Sequence, residues 1–220
     1  MGHEHRNWRR TRSTAGSGRR LWPAALAAAG AGLVLGVGAM FGLSSLRADG
    51  NRTVAPPPPR YAHDDPWRPY LAPETSCPGG DDQTRSVTAQ ADTMVCLINY
   101  ARSHAGLDSL SVSSTLSGSA RLKGDEILRC DRFAHSPCGD DPSAGVRGLG
   151  YAGAFGENLY IADGRDGAPR VALDHWLNSP DHRENLFRPQ WRVQSLYVAK
   201  VATFRQYRGA TLWVSQFGSQ

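Results

Sequence analysis

Leu21 to Leu46 contains no charged residue over 26 positions. As a helix, such a stretch is long enough for a hydrocarbon core of roughly 30 Å. Six arginines and a single acid (Glu4) precede it. That asymmetry keeps residues 1–20 in the cytoplasm and sends the rest of the chain across the membrane. The stretch therefore reads as an uncleaved anchor or as a long signal h-region; a core helix of a soluble fold would not carry this flanking charge. The same arginines account for the whole net charge of +5, because the other 19 bases and 19 acids of the chain cancel. A nucleic-acid partner is thereby excluded, since the exported part has no basic excess for phosphates.

Residues 47–76 read as a proline-rich linker. Ala55-Pro56-Pro57-Pro58-Pro59-Arg60 favours polyproline II, a stiff spacer without internal hydrogen bonds. The folding unit then spans 77–220. All four cysteines, Cys77, Cys96, Cys130 and Cys138, lie beyond the apolar stretch. An even number in an exported chain points to two disulfides. Three pairings are open. Proximity favours Cys130–Cys138, which leaves Cys77–Cys96 to tie the start of the domain to its first helix. A zinc site would ordinarily use closer Cys-x-x-Cys spacing.

Val87, Ala91, Met94, Ile98 and Ala101 recur at helical spacing, with Gly106 as the stop. A second helix fits Ser114 to Arg129, with Leu116, Ala120 and Ile127 inward. Residues 135–156, rich in Gly, Pro and Asp, read as a long loop. Glu157 to Ala162 is a short strand. Pro169 opens a third helix ending near Asn178. Ser179-Pro180-Asp181 has the pattern of an N-cap and first turn of a fourth. Two antiparallel strands complete the chain, around Leu196–Ala202 and Leu212–Gln216, with a turn at Tyr207-Arg208-Gly209. Helices first and strands last give an α+β class with helices packed on a small antiparallel sheet.

Several segments resemble one family. Leu97-Ile98-Asn99-Tyr100-Ala101-Arg102 with Gly106-Leu107 is similar to its opening helix. Phe133-Ala134-His135-Ser136 and Gly156-Glu157-Asn158-Leu159 resemble its histidine loop and its Gly-Glu-Asn motif. Trp176-Leu177-Asn178-Ser179-Pro180-Asp181-His182-Arg183-Glu184-Asn185 resembles its Trp-x-x-Ser-Pro-x-His-Arg-x-Asn signature, and Trp213 to Gly218 its closing strand. The family is the CAP superfamily of cysteine-rich secretory and plant pathogenesis-related (SCP-like) proteins, in its bacterial secreted branch. The resemblance covers about residues 90–218. It implies an α-β-α sandwich and a cleft built from two histidines and acids, at His135, Glu157 and His182. The family's further glutamate falls at Ser179, so that acid is absent. Two neutral imidazoles and a carboxylate would suit a divalent metal such as zinc with one position open.

Each of these residues also has a plainer role. His135 would hydrogen-bond within its disulfide-bounded loop, Glu157 would receive backbone amides, Asn158 would bind neighbouring backbone, and Trp176 would sit in the core. The helix starting near Ser179 would disfavour a proton on His182. Ser179, His182 and Glu157 have the residue types of a Ser–His–acid arrangement, but no Gly-x-Ser-x-Gly elbow is present. The leading expectation is an extracytoplasmic binding module, more a binder than an enzyme. Its partner would be a small apolar or lipid ligand, an envelope component or a divalent metal. The alternative is a secreted metal-assisted hydrolase using the same cleft.

Overall fold

The computed structural model describes residues 65–220. The basic tail, the uncharged stretch 21–46, the linker up to residue 64 and His3, His5 and His63 lie outside the described residues. Among those described, no helix is long and apolar enough to cross a membrane.

The elements are α1 (Val87–His104), β1 (Ser111–Val112), α2 (Ser114–Arg129), α3 (Ala144–Gly148), β2 (Phe155–Asp163), α4 (Pro169–Asn178), α5 (Pro180–Phe187), β3 (Val193–Phe204) and β4 (Tyr207–Gly218). One sheet orders them β1-β3-β4-β2. β2 and β3 both run antiparallel to β4, while β1 is parallel to β3. β4 is central, and both of its faces are buried. Leu212 and Val214 pack with Ala120 and Ile127 of α2 on one face. Trp213 and Phe217 pack with Met94, Leu97 and Leu173 of α1 and α4 on the other. The period of two in β4 thus serves two helical layers, and the fold is an α-β-α sandwich.

Hydrogen bonds at the helix ends follow from the sequence. Ser86 and Ser113 each accept an N–H at the start of α1 and α2, from Ala89 and Leu116. Arg102 is fully buried, and its guanidinium donates to the carbonyls of Asp108, Leu186 and Arg188. It thereby ties α1 to the last turn of α5, where carbonyls lack helical partners. The three fully buried indoles of Trp176, Trp191 and Trp213 each donate to a main-chain carbonyl, at Leu159, Asn185 and Gly167.

Four expectations are corrected. The folded body begins by Asp65, not at Cys77. Ala72 is fully buried, Tyr70 packs on Phe187, and Arg183 stacks on Trp67 at 4.1 Å. Aromatic side chains between the prolines supply enough apolar surface to hold this strap down. The loop 135–156 contains the short helix α3, anchored by Val146 in a small cluster with Leu116 and Tyr151. The last hairpin turns at Arg205-Gln206, with Arg205 at φ +52°, and Tyr207 to Gly209 already belong to β4. β1 was not foreseen, because two residues are too few to show alternation.

Both disulfides form as proximity suggests, Cys77–Cys96 and Cys130–Cys138. The second closes a loop of separation 8 that carries His135. The double change Cys130→Ser and Cys138→Ser is expected to cost about 2–3 kcal/mol of unfolding free energy, by the loop-entropy relation. Urea titration of the two proteins measures it.

The strap also carries a charge cost. Asp174 on α4 and Asp65 both bond the Asn178 amide. Burial, then the neighbouring Asp65, pushes Asp174 up to about 6 from 3.8. The folded state therefore holds a proton that the unfolded chain gives up. This contribution to stability is full below pH 3.8 and is lost as pH rises through about 6. Asp174→Asn is expected to raise the melting temperature at pH 7 and to flatten its decline between pH 4 and 6.

Candidate functional site

Each of the sequence's candidate residues arrives on a different element. The stapled loop after α2 presents His135, strand β2 presents Glu157, and α5 presents His182, with Ser179 at its N-cap position. His135 Nδ1–H donates to Glu157 Oε1 at 2.8 Å. The other carboxylate oxygen accepts from the Gln216 amide on β4 at 2.9 Å. Glu157 is nearly closed off from solvent, while half of the His135 side chain is exposed. Lys123 holds the His135 carbonyl at 2.6 Å from below. The buried carboxylate thus fixes the imidazole by one ring nitrogen and leaves Nε2 facing outward.

His182 is held in a similar way by a different group. Its Nδ1 shares a hydrogen bond of 2.8 Å with Ser179 Oγ. Ser179 occupies the N-cap position of α5, but its hydroxyl makes no cap bond to the helix backbone. It serves the side chain of His182 instead, and its carbonyl accepts from Arg183 N–H at 2.8 Å. Burial lowers the basicity of His182 below the ordinary imidazole value, the nearby His135 adds to this, and Asp181 opposes both. The neutral form expected from the helix terminus is therefore favoured chiefly by desolvation.

A cavity of about 320 Å³ opens beside these groups. Phe133, Tyr160, Trp176, Ser179, His182 and Tyr207 line most of it, with Leu159 and Ile161 of β2 as its floor. His135 and Glu157 form a pair adjacent to it rather than part of its lining. The histidines therefore come together, but the cleft belongs to His182 and Ser179. No lining side chain is Asp, Glu, Lys or Arg.

In the expected metal shell of His135, Glu157 and His182, the carboxylate is already engaged in hydrogen bonds. Both Glu157 oxygens are already used, by His135 and Gln216. Among the described residues no group of three His, Cys, Asp or Glu is arranged to hold a metal ion. What remains is two imidazoles, each with Nε2 available, and a carboxylate that orients one of them. The Ser–His–acid wiring is not made either, because Glu157 bonds His135 and not His182.

Other motif residues bind the cleft together. Asn158 Nδ2 donates to the His182 carbonyl, and Asn185 Nδ2 donates to the Glu157 carbonyl and to Asn158 Oδ1. The main chain bound by Asn158 is thus that of α5, not its own neighbourhood. Gly156 is required where it stands: a Cβ there would lie 2.9 Å from Asn185 Oδ1 and from the Trp191 ring. His175 packs against Tyr160, with tilted rings whose centroids are 4.9 Å apart. His104 stacks on Tyr100 at 4.0 Å. Sequence reasoning missed Gln216, Tyr160 and Tyr207. The tyrosine at 207 carried no signal beyond a turn pattern, and Gln216 appeared only as one position of an inward-facing strand.

Comparison with known proteins gives concordant results. A family model for the cysteine-rich secretory protein (CAP) family matches residues 95–217, more than half of the chain. An uncharacterised Bacillus subtilis protein, YkwD, is 36% identical over 136 residues, covering 60% of this chain and 48% of its own length. The chain thus spans about half of that relative. An extracellular protein containing an SCP domain from Bacillus anthracis superposes with a TM-score of 0.52 at 21% identity, covering 70% of this chain and 48% of that one. An outer surface protein from Borrelia burgdorferi gives a TM-score of 0.49 at 22% identity, covering 58% of this chain and 90% of that one.

His182 sets a pH dependence of opposite sign to Asp174. Its folded value lies below 6.5, so the unfolded chain takes up protons first as pH falls. Its contribution is full above pH 6.5 and declines as pH drops below it. His182→Gln is expected to flatten that acid-side decline, read by denaturant titration between pH 7 and 5.

Proposed function

Because the chain belongs to the cysteine-rich secretory protein (CAP) family, we propose that it is an extracytoplasmic binding module whose cleft beside β2 holds a small apolar or lipid-like ligand. One observation carries this reading: a cavity of about 320 Å³ walled by aromatic side chains and free of formally charged ones. Pockets for small molecules are commonly of this size class and composition, with few polar groups to set orientation. Ser179 and His182 supply those polar groups here. Extracytoplasmic placement is supported by two disulfides in the folded body and by the arginines before the apolar stretch. The Bacillus anthracis protein of similar fold is itself described as extracellular.

A divalent ion such as zinc is the second reading, favoured by two imidazoles that are each fixed through Nδ1. His135 and His182 would hold it through Nε2, with Glu157 and Ser179 orienting the rings. Such an ion would lend the cleft a Lewis acid. The low basicity of His182 keeps its ring in the neutral form that a ligand needs. A serine hydrolase is disfavoured, because Ser179 and His182 form a pair without a carboxylate behind the histidine.

Fluorescence titration with the neutral dye phenylnaphthylamine tests the apolar reading. Binding at one site is expected, weakened at least tenfold by Phe133→Ser. That change should spare the fold, since Phe133 is 38% exposed. Absence of saturable binding would overturn the reading. Calorimetry with zinc at pH 7.5 addresses the second; any binding should weaken at pH 5.5 and vanish in the His135→Ala, His182→Ala double variant.

A further inference from the structure

β2 lies at the edge of the sheet, so alternate residues turn their N–H and C=O groups away from β4. Which residues do so follows from bonds around the strand. Ser219 N–H donates to the Ala154 carbonyl, so the even-numbered positions of the β2 register face β4. Gly218, opposite Phe155, turns the other way, and its carbonyl accepts Arg192 N–H on the β3 side. The odd positions of β2 therefore face outward. The side-chain bonds agree: the carbonyls of Glu157 and Leu159 accept from Asn185 at 3.2 Å and Trp176 at 3.1 Å, both from outside the sheet.

The outward N–H groups of Leu159 and Ile161 have no acceptor among the described residues. They do not lie on an open surface. Leu159 and Ile161 are only 5% and 6% exposed, and they floor the 320 Å³ cavity. Its walls rise on both sides of the edge, with Phe133 and Tyr207 on one and His175 and His182 on the other. An unpaired main-chain donor in a sheltered groove is costly unless something brings it an acceptor.

The occupant that matches is defined by this geometry. It must offer carbonyls at the two-residue repeat of a strand and side chains that alternate between the two walls. It must be uncharged where it lies, because no Asp, Glu, Lys or Arg side chain lines the groove to answer a charge. An anionic lipid headgroup therefore finds no counter-ion. We propose that the cleft receives an extended, uncharged segment of another protein, which adds to β2 as a fifth strand. This rests on the reading of the cleft as a binding site and names its ligand class. Two alternate residues of the segment would pair with Leu159 and Ile161. The Trp176 bond does not block the Leu159 carbonyl, which has a second lone pair. Asn185 holds the edge one outward position before this stretch, at Glu157, and Trp176 holds it at Leu159.

The test uses the purified full chain, labelled with ¹⁵N, and a panel of capped pentapeptides alternating apolar residues with serine or threonine. Binding is expected to shift the amide resonances of Leu159 and Ile161 and to slow their hydrogen exchange at least tenfold. The tightest peptide is then N-methylated at the residues that would pair with the edge, which leaves every side chain in place. Affinity should fall at least tenfold. Equal affinity of the methylated peptide would overturn strand addition, and so would binding of phenylnaphthylamine with no peptide bound. Either result leaves the apolar cleft standing. Failure of both dye and peptides would remove the cleft reading together with this one.

Discussion

An edge strand with only one strand neighbour is the constraint around which this domain is arranged. β2 pairs with β4 along nine positions, but its outer carbonyls have no strand to meet them. Side chains take that role. Trp176 of α4 and Asn185 of α5 each donate to one outward carbonyl, and Asn158 sends its amide back to the α5 backbone. Each bond satisfies a group that would otherwise be buried unpaired, so each has a larger effect than its own net strength. Together they fix α4 and α5 relative to the sheet and leave the stretch from Leu159 to Ile161 as the part of the edge whose N–H groups are unmet.

The placement of the histidines follows from that arrangement. α5 is held against β2 by its asparagine and carries His182 in its first turn. Glu157 sits one residue before Asn158, on the opposite face of the strand, where it meets His135 from the loop stapled by Cys130–Cys138. The two imidazoles thus approach one another from the two sides of a single edge. Burial, and then the nearby His135, lower the basicity of His182. Asn158 and Glu157, adjacent in sequence, serve opposite layers because successive side chains of a strand point to opposite faces.

The N-terminal strap shows the same logic at another place. Trp67, Tyr70 and Ala72 bury apolar surface against α5 and the main core, and Arg170 of α4 reaches the Ala72 carbonyl and Glu74. The strap lies over the side of α5 remote from the cleft, where Arg183 stacks on Trp67. α5 is therefore supported on both sides: by the strap at one and by β2 at the other.

Much of this was legible in the sequence. Periodicity located α1, α2 and the last two strands, serine and proline marked the helix starts, and the motif residues His135, Glu157 and His182 pointed to one locality. Proximity in the chain sufficed for the disulfides, because short loops lose little entropy on closing. The tertiary structure alone decided what the motif residues do. Glu157 orients the His135 ring with one oxygen and receives Gln216, 59 positions away, with the other. Ser179 left the helix backbone for the His182 ring, a choice between two partners within reach that spacing cannot make. The cleft itself is made by Phe133, Tyr160 and Tyr207, residues whose types fit a loop, a strand and a turn equally well. Sequence determines local conformation through short-range sterics and burial period, whereas a cleft is the space left between distant segments once they pack, and no local pattern encodes it.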